Sequence, residues 1–354
     1  MRRIAIIPGD GIGIDVTVEA VKVLEAVMER AGLDMQLNHF DYGAEKYLQT
    51  GITLPDEQLE EFRRSYDAIY VGALGDPRVP DMAHARDILL GMRFKLDLYI
   101  NYRPVCLLNA KLCPLKDKKP QDINFVVFRE NTEGLYTGIG GSFKKGTPDE
   151  VAIQQSLNTR KGVERIIRYA FEYARKRGVK SVTMSDKGNA LRYEGDLWER
   201  VFDEVGAEYP EIERNHFYVD ALVMQMVKRP EQFEVIVTCN MFGDIITDLG
   251  AQLQGGMGLA GSGNIHPGKV SLFEPVHGSA PKYAGKNVAN PLAAIATVAI
   301  MLEHLKYDQE AAWVEAAIKH ALDTDNVTRD LGGRLGTKQV GDFIAAQIRK
   351  GSYQ

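Results

Sequence analysis

The sequence predicts an α/β protein with parallel strand pairing, and three observations carry that prediction. Short apolar, β-branched runs alternate with segments of helical period through the first half of the chain. Glycine-bearing turns bound those runs, as at Gly9–Gly13 and Gly72–Gly75. Charged residues recur just past strand ends: Arg129, Lys187, Asp220 and Asp244. In open α/β sheets that edge is where ligands bind.

The elements follow in order. Ile4–Ile7 reads as a first core strand, Val16–Arg30 as a helix, and Gln36–Phe40 and Ala68–Val71 as further strands. Arg86–Lys95 turns helical and Leu98–Arg103 is extended again. Asn124–Phe128 (NFVVF) is a strong strand that leads into Arg129-Glu-Asn-Thr-Glu-Gly-Leu-Tyr136. The glycine-rich stretch Gly138–Gly146 fits a projecting ribbon or loop. Thr159 is a good N-cap for a helix whose buried face is Val163, Ile166, Ile167, Ala170, Phe171 and Ala174, stopped by Gly178. Ser181–Met184, Phe217–Val219 and Phe233–Thr238 (FEVIVT) are strands, and the last hands over to a helix reaching Leu253.

A chain of 354 residues with 45% apolar content can bury one large core or two. A net charge of −5 argues against a nucleic-acid or membrane-surface binder. Cys106, Cys113 and Cys239 form no CxxC pair, so neither a disulfide framework nor a zinc site is indicated. The longest apolar run, Pro291–Leu302, is too short to span a bilayer. A cytoplasmic protein is the expectation.

The sharpest chemical signal is Asn240-Met-Phe-Gly-Asp-Ile-Ile-Thr-Asp248. On a helix, Asp244 and Asp248 lie one above the other, where like charges repel unless a cation sits between them. A hard divalent ion with oxygen ligands, Mg2+ or Mn2+, suits that position; a solvated helix face is the plainer reading. Arg93, Arg103 and Arg129 carry forks that bind carboxylates, and Arg129 follows an apolar strand where an unpaired charge is costly. Lys187 and Tyr136 are candidates for proton transfer, against an exposed ion pair with Asp186 and a core aromatic respectively. Two glycine motifs are set aside. Ile14 stands where the fingerprint GxGxxG needs its third glycine, and Val270 replaces the Ser/Thr of a P-loop in Gly263–Val270. A long loop, Leu272–Lys286, precedes an apolar helix and can wrap an adenine and its ribose.

Together the PGDGIG opening, RENTEGLY, MFGDIITDL and FEPVHGSAP make the chain resemble, end to end, the metal-dependent β-decarboxylating dehydrogenases of 2-hydroxy acids. That family includes isopropylmalate, isocitrate, homoisocitrate and D-malate/tartrate dehydrogenases. The resemblance implies a two-domain fold with a large mixed sheet flanked by helices, not a Rossmann fold. It also implies a homodimer with shared active sites. Residues 1–103 and 255–354 would form the cofactor-binding domain, and 104–254 the dimerising domain, with an arm near 138–156. By the same resemblance Arg93, Arg103 and Arg129 grip the malate portion, Asp220, Asp244 and Asp248 hold Mg2+ or Mn2+, and Tyr136 and Lys187 are the acid–base pair. Lys187 and Asp220 would reach into the neighbouring subunit's site. Glu274, His277, Gly278, Ser279, Ala280, Lys282, Tyr283, Asn290 and Arg329 would bind the nicotinamide cofactor.

Substrate and cofactor choice rest on smaller differences. Tricarboxylate-specific relatives place Ser and Asn where this chain has Asp87 and Leu89. A fixed carboxylate facing a third substrate carboxylate would cost on the order of a few kcal/mol. Homoisocitrate enzymes have Arg in place of Leu90. Ile88, Leu89 and Leu90 instead suggest an apolar pocket for an isopropyl group, worth roughly 1.5–3 kcal/mol when buried. D-malate/tartrate enzymes also carry a Leu pair and are the alternative. NAD-dependent members have Asp after HGSAP, whereas this chain has Lys282-Tyr283, which with Arg329 favours NADP+ over NAD+.

Overall fold

A computed structural model describes residues 1–351. The chain opens with β1 (Arg2–Gly9), α1 (Ile12–Ala31), β2 (Met35–His39), α2 (Ala44–Thr50), α3 (Asp56–Ser65), β3 (Ala68–Ala73) and α4 (Ala83–Lys95). Its middle contains β4 (Ile100–Cys106), β5 (Asn124–Glu130), β6 (Gly140–Phe143), β7 (Val151–Gln154), α5 (Arg160–Arg177) and β8 (Ser181–Asp186). It continues with α6 (Arg192–Gly206), β9 (Glu213–Tyr218), α7 (Val219–Lys228), β10 (Val235–Thr238) and α8 (Asn240–Leu253). The last elements are β11 (Gly261–Ile265), β12 (Ser271–Pro275), α9 (Leu292–His304), α10 (Asp308–Asp323) and α11 (Thr337–Lys350).

Two compact units result. The first combines Met1–Leu98, Cys106–Pro120 and the chain from Ala251 onward. Its strands run in the order β2-β1-β3-β12-β11. All neighbours are parallel except β11 and β12, so the sheet is mixed. Every residue of β3 is buried, as expected of a parallel strand covered on both faces. Ile7, Phe62, Ile69, Ile88, Met92 and Leu272 belong to one core cluster, which draws on segments far apart in sequence. The β11–β12 hairpin also explains the P-loop-like Gly263–Val270: it is the turn of an antiparallel pair, with no helix start for a phosphate.

The second unit combines Tyr99–Val105 with Gln121–Gly250, in strand order β4-β5-β10-β8-β9. β5, β10, β8 and β9 are mutually parallel, so their C-terminal ends share one edge. Thr159 caps α5 by accepting from Gly162 N, and Gly178 ends that helix in the left-handed region at φ 68°. The ribbon β6–β7 is antiparallel and every residue of both strands is exposed. Relative to boundaries at 103 and 255, β4 with Arg103 sits in the second unit, and Cys106–Pro120 returns to the first.

Candidate active site

The shared strand edge of the second unit places the expected residues. Thr238 of β10 pairs with Arg129 of β5, and Ser185 of β8 pairs with Thr238, so the register carries all three strands to one level. There Arg129, only 1% exposed, is surrounded by partners. Its Nε donates to Asn240 Oδ1 at 2.9 Å and one terminal nitrogen reaches Asp244 Oδ1 at 2.5 Å. Gly243 lets the strand and helix come this close, since a Cβ there would fall 2.5 Å from Arg129 Cγ. Tyr136, on the short turn Leu135–Thr137, donates its hydroxyl to Asp244 Oδ2 at 2.8 Å. The Arg129 guanidinium lies 5.1 Å from the centre of the same ring.

Electrostatics sort these groups. Burial pushes the Asp244 carboxyl up, but the Arg129 charge, the Tyr136 hydroxyl and Arg103 outweigh it and hold the group below the usual range. Asp248, one turn on in α8, goes the other way, raised by burial and by the Asp244 charge against the pull of Arg103 and Arg129. Two carboxylates of which one is held ionised and the other is pressed by it are a fitting seat for a divalent cation with oxygen ligands. Arg103 donates from Nε to Asn101 Oδ1 at 2.9 Å. Burial, then the bond to Asp244, raises the Tyr136 phenol, so it stays protonated at neutral pH.

Lys187 and Asp220 form a separate pair. Lys187, the first residue past β8, donates to Asp220 Oδ2 at 2.7 Å. That bond lowers the exposed Asp220 carboxyl. β9 stops at Tyr218, so Asp220 lies in the first turn of α7 rather than on a strand end. Asp186 is not the partner of Lys187; it accepts from His216 Nε2 at 2.8 Å instead. Within one chain, therefore, the expected metal ligands divide into Asp244 with Asp248 on α8, and Asp220 beside Lys187.

The first unit holds the remaining groups. Arg93 on α4 reaches Glu274 on β12 at 2.9 Å, and Asn264 Nδ2 donates to the same carboxylate oxygen at 2.8 Å. The buried Nε–H of Arg93 has no acceptor, which suits a carboxylate ligand. Leu89 and Leu90 are half-buried on α4, four and three residues before Arg93 respectively, so they share its face. Ile88, unlike its two leucine neighbours, is fully buried in the core cluster with Met92.

The loop from His277 to Tyr283 is tied down by glycine geometry. Ser279 O accepts from Ile12 N at 2.7 Å, and Ser279 Oγ donates to Gly75 O at 2.5 Å. Gly11, at φ 56°, admits that contact because a Cβ would sit 2.2 Å from Ser279 O. Ala280 follows at φ 34°, a left-handed conformation unusual for alanine and suggestive of a functional loop. His277 Nδ1 donates to Gly278 O at 3.0 Å, which leaves Nε2 as a buried acceptor without a donor. An amino or hydroxyl group of a nucleotide would satisfy it. Lys282 is exposed and lies 4.7 Å from the Tyr283 ring centre. Arg329 is likewise exposed. Asn290 Oδ1 accepts from Leu292 N at 3.0 Å and its Nδ2 donates to Asp330 Oδ2 at 3.0 Å.

Sequence reasoning passed over several residues that shape the site. Asp10 accepts from Ala44 N, Gly75 N and buried His84, knitting the first glycine turn to its neighbours. Glu130, beside Arg129, is buried and accepts from Thr132 and Glu133 N, and burial pushes it up to about 7. The PGDGIG and RENTEGLY motifs held both acids, but only burial gives them meaning. Among the described residues no helix is long and apolar enough to cross a membrane.

Arginine, acids and a phenol at the strand ends of the second unit suit an enzyme that acts on small organic acids. The family model described as isocitrate/isopropylmalate dehydrogenase matches residues 3–344, and the chain belongs to that family. A Thermobifida fusca protein described as 3-isopropylmalate dehydrogenase is 49% identical over 348 residues, 98% of this chain and 97% of that one. A Streptomyces griseus protein of the same description is 47% identical over 347 residues, covering 98% of each. The crystal structure of isocitrate dehydrogenase from Methylococcus capsulatus superposes with a TM-score of 0.88 at 39% identity, covering 99% of this chain and 100% of that one.

Proposed function

We propose that the protein oxidatively decarboxylates 3-isopropylmalate to 2-oxoisocaproate in leucine biosynthesis. The observation that carries this reading is the chain of contacts Arg129–Asp244–Tyr136: a buried cation, an ionised acid and a protonated phenol in direct succession. Relatives of matching length described as 3-isopropylmalate dehydrogenase support the substrate, as do the half-buried Leu89 and Leu90 beside Arg93.

Each residue then has a task. Arg93, Arg103 and Arg129 bind the two carboxylates of the substrate, and Leu89 and Leu90 receive its isopropyl group. Asp220, Asp244 and Asp248 hold Mg2+ or Mn2+, and Glu274, the 277–283 loop and Arg329 hold the dinucleotide. A bound nicotinamide would supply the acceptor for a hydride from C2, and a bound divalent ion would supply charge stabilisation at the adjoining oxygen. Lys187 takes the proton from the 2-hydroxyl. After CO2 leaves, Tyr136 donates its phenolic proton to the carbon that bore the carboxylate, a task for which its raised phenol is in the right protonation state. Exposed Lys282 and Arg329 favour a 2′-phosphate, so NADP+ is the proposed cofactor over NAD+.

In this reading the working site joins the Lys187–Asp220 pair of one subunit to the Asp244 pair of a second. Exposed apolar side chains support a homodimer: Phe143, Val151 and Ile153 on the ribbon, Met224 on α7 and Ile245 on α8. The test follows reduced cofactor by absorbance with 3-isopropylmalate, D-malate, tartrate and isocitrate, each with NAD+ and NADP+, with and without chelator. Highest kcat/KM for 3-isopropylmalate, abolished by chelator, is expected. Preference for D-malate would replace the substrate assignment, and turnover without divalent ions would overturn the metal role.

A further inference from the structure

Behind Lys187 lies a group of side chains that the proposed reaction does not use. Asp186 ends β8, Glu199 lies on α6 and His216 on β9, and one ligand atom from each falls within 4.8 Å of the other two. Asp186 is only 3% exposed. Its Oδ1 accepts from His216 Nε2 at 2.8 Å, whereas its buried Oδ2 has no partner at all. That orphaned oxygen and a Glu199 oxygen lie beside the same residue, Gly188. A Cβ built at Gly188 would come within 2.7 Å of Glu199 Oε1 and 3.1 Å of Asp186 Oδ2, so both oxygens converge beside the same glycine. The bond from Asp186 already raises the His216 imidazole, the response of a ring set against negative charge. A buried carboxylate oxygen without a donor, facing a second carboxylate, is unfavourable unless something positive sits there.

We propose that Asp186, Glu199 and His216 bind a divalent transition-metal ion of the Zn2+ or Co2+ class, at a site distinct from the Mg2+ or Mn2+ seat of Asp220, Asp244 and Asp248. The donor set decides the class. Two carboxylates and one imidazole are the mixed oxygen–nitrogen ligands such ions prefer, with a fourth position left for water. Mg2+ shuns imidazole and favours oxygen alone. Binding replaces the His216–Asp186 hydrogen bond with two metal bonds and gives Asp186 Oδ2 its missing partner. It also fixes β8, α6 and β9 together next to Lys187.

The test uses the full-length protein stripped with chelator and then saturated with Mg2+, which fills the all-carboxylate seat. Titration with Co2+ is read by visible absorption. A saturable band at one ion per chain is expected, lost in Glu199→Gln and in His216→Gln and retained in Asp248→Asn. No saturable band in the wild type overturns the site. So does a band that survives both of the first two variants, or one that disappears with Asp248→Asn. Far-UV circular dichroism of each variant separates loss of a ligand from loss of the fold, and the wild-type titration decides the matter even where a variant fails to fold. Because the readout is absorption rather than turnover, failure here leaves the proposed reaction standing, and failure of that reaction leaves this site standing.

Discussion

Lys187 donates to an exposed acid and supports no core, so replacing it should strike rate and not stability. Lys187→Ala is expected to lower kcat by about 10²–10⁴-fold with an unchanged unfolding midpoint, measured by steady-state rates and thermal melts. Retention of a tenth of the wild-type rate would remove it from the acid–base role. Glu130 gives a pH signature. Burial raises its carboxyl from 4.5 to about 7, so the folded state binds the proton more tightly than the unfolded state does. Its contribution is then full below the unfolded pKa and lost as pH rises through the folded one, an effect of about 3 kcal/mol between those limits. Glu130→Gln should flatten that fall in denaturant midpoints between pH 4.5 and 7; an unchanged slope would mean another group titrates there. Lys282→Asp should shift the ratio of kcat/KM for NADP+ over NAD+ toward NAD+ by at least tenfold, and no shift would refute the phosphate role of this side chain.

Among the elements, α5 shows how a cap can link two motifs. Thr159 accepts from Gly162 N while donating to Glu133 Oε1, and its own N–H donates to Glu133 Oε2. Thr159→Ala should therefore cost about 1 kcal/mol from the lost cap, read from chemical denaturation. The same helix was legible in sequence because its apolar spacing, N-cap and terminal glycine all agree. β5, β8 and β10 were legible as buried parallel strands for a similar reason: continuous β-branched runs have few alternative readings. Other features were not. Ile88 looks like its leucine neighbours in sequence, and only the orientation of α4 sends it inward to Met92. The Asp186–Glu199–His216 group comes from three elements and has no sequence spacing to betray it. Asp220 stood out as an acid just past a predicted strand, yet its place in the first turn of a helix depends on where β9 ends.

At the scale of the whole molecule, the ribbon β6–β7 exposes apolar side chains that a dimer would cover. Ile153→Glu should shift the protein toward monomer in analytical ultracentrifugation and lower activity in parallel, since Lys187 and Asp244 would no longer meet; a fully active monomer would refute the shared site. No linker or change in composition marks the boundaries of the two units in the sequence. The first unit is also discontinuous, and this bears on how the polypeptide is born. β3 pairs with β12, and Val270 and Leu272 complete a core begun by Ala5 and Ile7. During synthesis the leading third of the chain must therefore wait, with an open sheet border, until the ribosome has delivered the entire second unit. A transcript truncated just before Val270 would leave that border exposed and prone to aggregation, while the second unit, drawn wholly from residues 99–250, would have all its strands in hand.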